Sequence, residues 1–335
     1  MNELLPQINT GLIIQEPQPD DYIKGQNSPL AVQAVNPSGD WLSYVPTNED
    51  QYSDKNKFDT MNCTAFSLTN IIEMWLQFYI QSGYMPVGHM QFLQDNDYLD
   101  ANGKINLSER ALGTMAGTGS NGNTLQKVVQ TARTYGLAPD SIWAWDQNKE
   151  VNIQEYYSPL PDSVWQIAAK FRDYFEIQYQ WLFSGVNSIP DALRESPLWI
   201  ALATCPGWSN PPVNWCGVTQ SNHAVSLIKD DLKSEPVILD HYNPYIKQLA
   251  LNYVIPWLMQ VFVVIKDTKE MITLQKTPDG TFYLNLNGKS SIGIGDMNAA
   301  QIFSDAGIVP EDVQTVPTQT HTLATGIILH KVDKK

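Results

Sequence analysis

Cysteine is scarce in this chain: three residues in 335, Cys63, Cys205 and Cys216, too few for the multi-disulfide framework that staples small secreted domains. Cys205 and Cys216 flank a Trp-, Pro- and Asn-rich stretch, residues 206–215; they either pair with each other or serve as two small buried apolar residues. Neither a Cys-x-x-Cys nor a His-x-x-x-His spacing occurs, so a zinc site has no support and no metal is expected. Basic residues are few as well. The 21 Lys and Arg against 35 Asp and Glu give a net charge of −14, and without a basic run the chain lacks the clustered cations that a phosphate backbone requires, which excludes nucleic acid as a partner. The N-terminus has neither the basic start nor the apolar core of a signal peptide, which points to a cytoplasmic or virion-associated protein rather than a Sec-secreted one. Long apolar runs are missing too: residues 249–265 come nearest, but Pro256 and Gln260 interrupt them and they fall short of the ~20 residues of a spanning helix. A turn feeding a buried strand at 260–265 is expected there, with no membrane contact.

What is present suits a soluble enzyme with a small extra module. Apolar residues make up 43% of the chain, ample for a core, and the length suggests two domains. Residues 1–39 are polar, proline-bearing and weakly periodic, and read as an extended arm. Residues 40–266 form the main domain. From Asp267 the pattern changes to strand runs at 271–275 and 282–286, with turns at Pro278, Asp279, Gly280 and at Asn287, Gly288. A short helix at 297–306 and a last strand at 323–330 complete a compact α+β module, suited to docking a partner, polymer or assembly. Gly293 and Gly295 lack the strand–turn–helix context of a phosphate loop.

Two segments carry chemistry. Cys63 heads an apolar-periodic run (Ala65, Phe66, Leu68, Ile71, Ile72, Met74, Trp75, Leu76, Phe78, Tyr79) that predicts a long, mostly buried helix beginning at or near the cysteine. A thiol at a helix start is acidified by the positive end of the helix, and further by a nearby imidazolium. His223 opens a strand-like run (Ala224, Val225, Leu227, Ile228), followed by a turn at 229–235 and a second strand at 236–240. Pairing of the two strands brings Asp240 beside His223, with Asn243 as a second candidate orienter. His89, His241, His321 and His330 fall outside this pattern; strand alternation sends His241 to the face opposite Asp240. Trp41, Trp75 and Trp143 read as core.

These segments, in their order along the chain, resemble the papain-like cysteine peptidases. Asp40 and Trp41, with Pro46 and Gln51 after them, look like that family's mature start. Cys63 to Ser67 resembles its cysteine helix, Leu107 to Arg110 its Leu-Ser-Glu-Gln helix start, and Gly119 to Asn123 its glycine-bearing cleft loop. Ser196 to Ala201 is similar to its Gly-Pro-Val-Ser-Val-Ala strand, Asn222 to Val225 to its histidine motif, and Ile238 to Pro244 stands where it has Asn-Ser-Trp-Gly. The resemblance implies an α+β, two-lobed fold, in which a helical lobe holds the nucleophile and an antiparallel, β-barrel-like lobe holds the histidine. It implies Cys63 as nucleophile, His223 as base, Asp240 as orienter and Gln51 as oxyanion donor. Gly122, Asn123 and Asn222 then line the substrate cleft, Tyr242 shields the His–Asp pair, the substrate is a peptide or protein, and no metal or organic cofactor takes part.

The departures from that pattern are specific. Thr64 follows the nucleophile where the family usually has Trp, and Phe58 to Asn62 replace its Gly-Ser-Cys-Gly run. The gap from Gln51 to Cys63 is longer than usual, so Asn62 or a backbone N–H is an alternative oxyanion donor. Asp in place of the orienting Asn is compatible with activity, because an anionic partner also fixes the imidazole tautomer. Residues 1–39 are too short for the family's helical inhibitory propeptide. Two other readings remain: a catalytically silent papain-fold structural or assembly protein, and a transglutaminase or cell-wall amidase type of acyl transferase. The intact Cys and His speak against the first, and the long Cys63–His223 separation against the second.

Overall fold

Between Asn62 and Ser82 the sequence contains neither glycine nor proline, and it folds as helix α1 (Cys63–Gln81), buried from Cys63 through Phe78. A helix apolar around most of its circumference belongs in an interior, and α1 is the centre of the main unit. The structure is a computed structural model that describes residues 11–30, 33–53, 57–145, 152–183, 188–218 and 220–266, together with the backbone of strands within 272–276, 282–286, 290–294 and 314–315. The chain divides into two compact units, Met1–Lys266 and Asp267–Lys335.

In the first unit α2 (Val87–Asp95), α3 (Glu109–Met115), α4 (Leu125–Tyr135), α5 (Ile153–Tyr156), α6 (Asp162–Tyr174) and α7 (Ile189–Glu195) accompany α1. Their starts are written in the sequence: the side chains of Ser108, Thr124, Asn152 and Ser188 each accept a backbone N–H of the first turn, and Asn152 with Glu155 closes a capping box. Helix α4 ends at Gly136, whose φ is +84° and where a Cβ would lie 1.8 Å from the Ala168 carbonyl oxygen. Only glycine permits both that conformation and that approach of α4 to α6.

A two-stranded hairpin, β1 (Tyr52–Ser53) with β2 (Phe58–Asp59), precedes α1. The main sheet is built from β3 (Phe175–Leu182), β4 (Leu198–Leu202), β5 (His223–Lys229), β6 (Val237–Leu239), β7 (Ile246–Gln248) and β8 (Trp257–Ile265). All pairings are antiparallel, in the order β3-β8-β4-β5-β6-β7. Helix α1 packs on β4, β5 and β8 and also touches α3 and α4. This is the expected α+β arrangement of the helix that starts at Cys63 against an antiparallel sheet. Among the described residues no closed barrel is formed, and irregular chain meets both edge strands. Along β3, Trp181 exchanges backbone hydrogen bonds with Tyr22 and Lys24 at 2.8 and 3.0 Å; along β7, Val213 donates to Gln248 at 2.8 Å.

The apolar stretch at 249–265 ends in β8 as expected, and no helix among the described residues is long and apolar enough to cross a membrane. Trp41 and Trp75 are core residues whose indole N–H groups reach Leu193 O at 2.7 Å and Val261 O at 2.8 Å, which removes the cost of burying them. The N-terminal segment is more than an arm: Asp21 is buried and accepts from Gln126 Nε2, the Tyr179 hydroxyl and Gln18 N, each at 2.7 Å. Cys205 and Cys216 are bonded to each other, with Cα atoms 5.6 Å apart.

The second unit contains β9 (Ile272–Lys276), β10 (Phe282–Leu286) and β11 (Ser290–Ile294), an antiparallel meander, with β12 (Gln314–Thr315) parallel to β9. The first two strands coincide, within one residue, with the runs read from the sequence. The expected turns at 278–280 and 287–288, the helix at 297–306 and the strand at 323–330 lie outside the described residues.

Candidate active site

Helix α1 and strand β5 begin at the same corner. The Ser226 hydroxyl donates to Ser67 O at 3.0 Å, Trp199 Nε1 donates to Ser67 Oγ at 2.6 Å, and Ser67 Oγ in turn donates to Cys63 O at 2.6 Å. Ser67 lies one helical turn beyond Cys63, and Ser226 three residues beyond His223. At the corner itself the Phe66 ring is 5.3 Å from the His241 ring, which is 4.8 Å from that of His223. Cys63 is the first residue of α1, fully buried and outside the disulfide. Burial raises Tyr157 and Tyr242 well above the ordinary tyrosine value, and Cys63 lies within electrostatic reach of both. The Tyr242 ring lies 5.4 Å from that of His223.

His223 is fully buried and its Nε2 meets Asp240 Oδ1 at 2.8 Å. Asp240 follows the last residue of β6, and four donors converge on it. His223 and the His241 backbone N–H, the latter at 2.8 Å, share Oδ1; Trp208 Nε1 at 2.8 Å and Lys247 Nζ at 2.7 Å share Oδ2. Burial alone would push this carboxyl up, but the charges of His223 and Lys247 and the His223 hydrogen bond outweigh it, and Asp240 is held well below the usual carboxylate range. Asn243, the alternative orienter, is exposed in the β6–β7 loop.

The placement of His241 is a correction. Strand β6 stops at Leu239, so alternation no longer applies, and the ring turns back beside His223 instead of facing away. Neither His241 ring nitrogen has a hydrogen-bond partner among the described residues. Burial first, then the charges of His223 and Lys247, hold this histidine well below its ordinary value, so it is neutral. His223, Asp240 and His241 bring potential ligand atoms within 4.8 Å of one another. A metal ion held by these atoms would have to break the hydrogen bond between His223 Nε2 and Asp240 Oδ1.

Gln51 is fully buried in the same corner: its backbone N–H donates to His241 O at 3.0 Å and its Nε2 to Asp59 Oδ1 at 2.5 Å. Asp59 also accepts from Met61 N at 2.7 Å and from the Tyr242 hydroxyl. These bonds tie the hairpin before Cys63 to the loop after β6. Asn62 turns the other way, its Nδ2 donating to Glu109 O at 2.8 Å and to the Tyr156 hydroxyl at 3.3 Å.

Of the three residues assigned to the cleft, Gly122 and Asn123 are met by the chain's own N-terminal segment. Asn123 N donates to Gly11 O and Ile13 N donates to Asn123 O, both at 2.8 Å. Gly11 is wedged: a Cβ on Gly122 would lie 1.8 Å from Gly11 O, and a Cβ on Gly11 would lie 2.0 Å from Met61 O, two residues before Cys63. Asn222 braces the strand ends, accepting from Thr204 N at 2.8 Å and donating through Nδ2 to Thr204 Oγ1 at 3.0 Å.

Sequence reasoning did not find Lys247, Trp208 or Asp59. Lys247 gave one signal, a lysine flanked by Ile246 and Gln248 in a run short enough to be a strand, but nothing in the sequence says that its side chain faces inward.

No protein-family model and no curated protein matches the chain. Among solved structures it is similar to xylellain, a cysteine protease from Xylella fastidiosa, at 14% identity and a TM-score of 0.49, covering 78% of this chain and 97% of that one. It is similar to digestive procathepsin L 3 of the Tenebrio molitor larval midgut at 14% identity and a TM-score of 0.42, covering 76% and 74%. It is similar also to procathepsin B S9 from Trypanosoma congolense at 11% identity and a TM-score of 0.43, covering 77% and 86%.

Proposed function

We propose that the chain is a cysteine-dependent peptide-bond hydrolase working through Cys63, His223 and Asp240. The observation that carries this reading is the bond from His223 Nε2 to a buried, ionised Asp240 at the corner where α1 starts with Cys63. A buried carboxylate with four donors is costly to assemble from water, and here that carboxylate holds an imidazole.

With Nε2 committed to Asp240, the imidazole addresses the thiol through Nδ1. The helix N-terminus and the imidazolium favour the thiolate. The Cys63 sulfur attacks the substrate carbonyl carbon, a C–S bond forms, and the carbonyl π electrons move to oxygen. Donors at the start of α1 receive that oxyanion, with Gln51 as the side-chain candidate; its bond to Asp59 orients the amide. Collapse breaks the C–N bond as His223 Nδ1 gives its proton to the leaving amine. The neutral imidazole then takes a proton from water, which attacks the thioester, and the acid leaves with the thiolate–imidazolium pair restored. The substrate is a peptide or protein, and no step needs a metal or organic cofactor. The unit Asp267–Lys335 serves in this reading as a docking module for a partner, polymer or assembly.

The test is hydrolysis of fluorogenic peptide libraries by the intact chain and by Cys63→Ala. Turnover by the first alone supports the reading; equal turnover by both, or none by either on any library, removes it.

A further inference from the structure

Lys247 has an unusual place for a lysine. It is the middle residue of β7, between outward-facing Ile246 and Gln248, and its side chain is fully buried. An apolar residue would be expected there. Instead the ammonium donates to Asp240 Oδ2 at 2.7 Å and to the carbonyl oxygens of Tyr242 and Pro244, which uses all three of its N–H bonds. The Trp208 ring lies 5.6 Å from Nζ. Burial lowers the lysine from its ordinary value, and the bond to Asp240 works against that in favour of the charged form.

Accepting the hydrolase reading above, an anion in direct contact with His223 creates a difficulty. A carboxylate in contact with an imidazole attracts its proton, yet the mechanism requires that proton to leave at every turnover. We propose that Lys247 is a positioning residue that cancels the charge of Asp240, so that the pair orients His223 as a neutral unit and sets the pH at which the nucleophile and base lose their shared proton. Asp240 then supplies geometry, and Lys247 removes the excess attraction that its charge would exert.

Other groups face this cluster. Asp59 lies within electrostatic reach of His223, and Asp50 within reach of Lys247. His241 and Tyr242 pack on the His223 ring, Cys63 lies at the start of α1, and Tyr157 is within reach of Cys63. All of them remain when only Lys247 or Asp240 is changed, so differences among variants at these two positions report on the pair.

The experiment is the pH dependence of Cys63 alkylation by iodoacetamide, which needs no substrate, in wild type, Lys247→Met, Asp240→Asn and the double variant, each with a thermal melt. Loss of the imidazolium gives the upper step of such a profile. In Lys247→Met that step moves up by about one pH unit; in Asp240→Asn, which leaves an uncompensated ammonium, it moves down by about as much. The double variant returns close to wild type. If Lys247→Met fails to fold, the comparison of Asp240→Asn with the double variant decides alone, because the latter buries no lone charge. Upper steps that coincide in all folded variants overturn the inference while leaving the hydrolase reading intact. A wild-type profile that is that of an ordinary thiol, with no upper step, removes both.

Discussion

Trp208 donates its indole N–H to Oδ2 of Asp240 at 2.8 Å, and it does so from inside the loop that the Cys205–Cys216 bond closes. The disulfide is thereby coupled to the carboxylate that holds His223, and the indole, 5.6 Å from the His223 ring, covers the pair on that side. Trp208→Phe keeps the ring and removes the donor. A hydrogen bond to a charged group contributes about 1.5–3 kcal/mol, so this variant should lose stability in that range, seen as an earlier melt, and lose turnover. Unchanged melting and turnover would show that the indole only fills space. Replacing Cys205 and Cys216 by Ser should cost roughly 3 kcal/mol for a loop of this size, measured by denaturant unfolding.

A second prediction concerns acid groups away from the site. Glu49 and Glu109 share a hydrogen bond, Leu107 N donates to Glu73 Oε1 at 2.6 Å, and Thr69 Oγ1 donates to Glu109 Oε1 at 3.0 Å. Burial first, and then the neighbouring carboxylates, raise Glu49 to about 7 and hold Glu73 and Glu109 well above the usual range; burial raises Asp140 to about 6. An unfolded carboxyl releases its proton near pH ~4. The folded cluster therefore holds protons that the unfolded chain has lost, and its contribution to stability is complete below about pH 4 and disappears as pH rises through about 6 to 7. The melting temperature should fall between pH 5 and 8 on this account, and fall less in Glu49→Gln. A wild-type melting temperature that rises over that interval would count against a protonated cluster.

The wedge at Gly11 gives a third. Its φ of +99° and its approach to Met61 and Gly122 leave no room for a side chain. Gly11→Val should lift residues 11–13 from the loop at Gly122 and Asn123. Hydrogen exchange at the Ile13 and Asn123 amides reads this directly: faster exchange at both is expected, together with faster alkylation of Cys63. Exchange at both amides as slow as in wild type would mean that the segment is held by other contacts.

The parts of this site that were legible in the sequence are those set by local periodicity. The run after Asn62 specifies a buried helix starting at Cys63, and the run after Asn222 a buried strand starting at His223, because apolar spacing and run length together distinguish the two. Asp240 was legible because the strand carrying it pairs directly with that of His223. Lys247, Trp208 and Asp59 were not, because each arrives through a turn or loop whose path is decided by tertiary contacts. His241 was misplaced for a related reason: alternation was extended one residue past the end of β6, and beyond that end the backbone turns.

The central claim is that Cys63 and His223 act as one ionised pair. Its most direct measurement is the rate of Cys63 alkylation by iodoacetamide at pH 6, with the adduct mapped by mass spectrometry, in wild type and in His223→Ala. An isolated thiol is almost wholly protonated at that pH. The account predicts rapid labelling of Cys63 in wild type and a loss of about a hundredfold or more in His223→Ala; equal rates in the two proteins would contradict it.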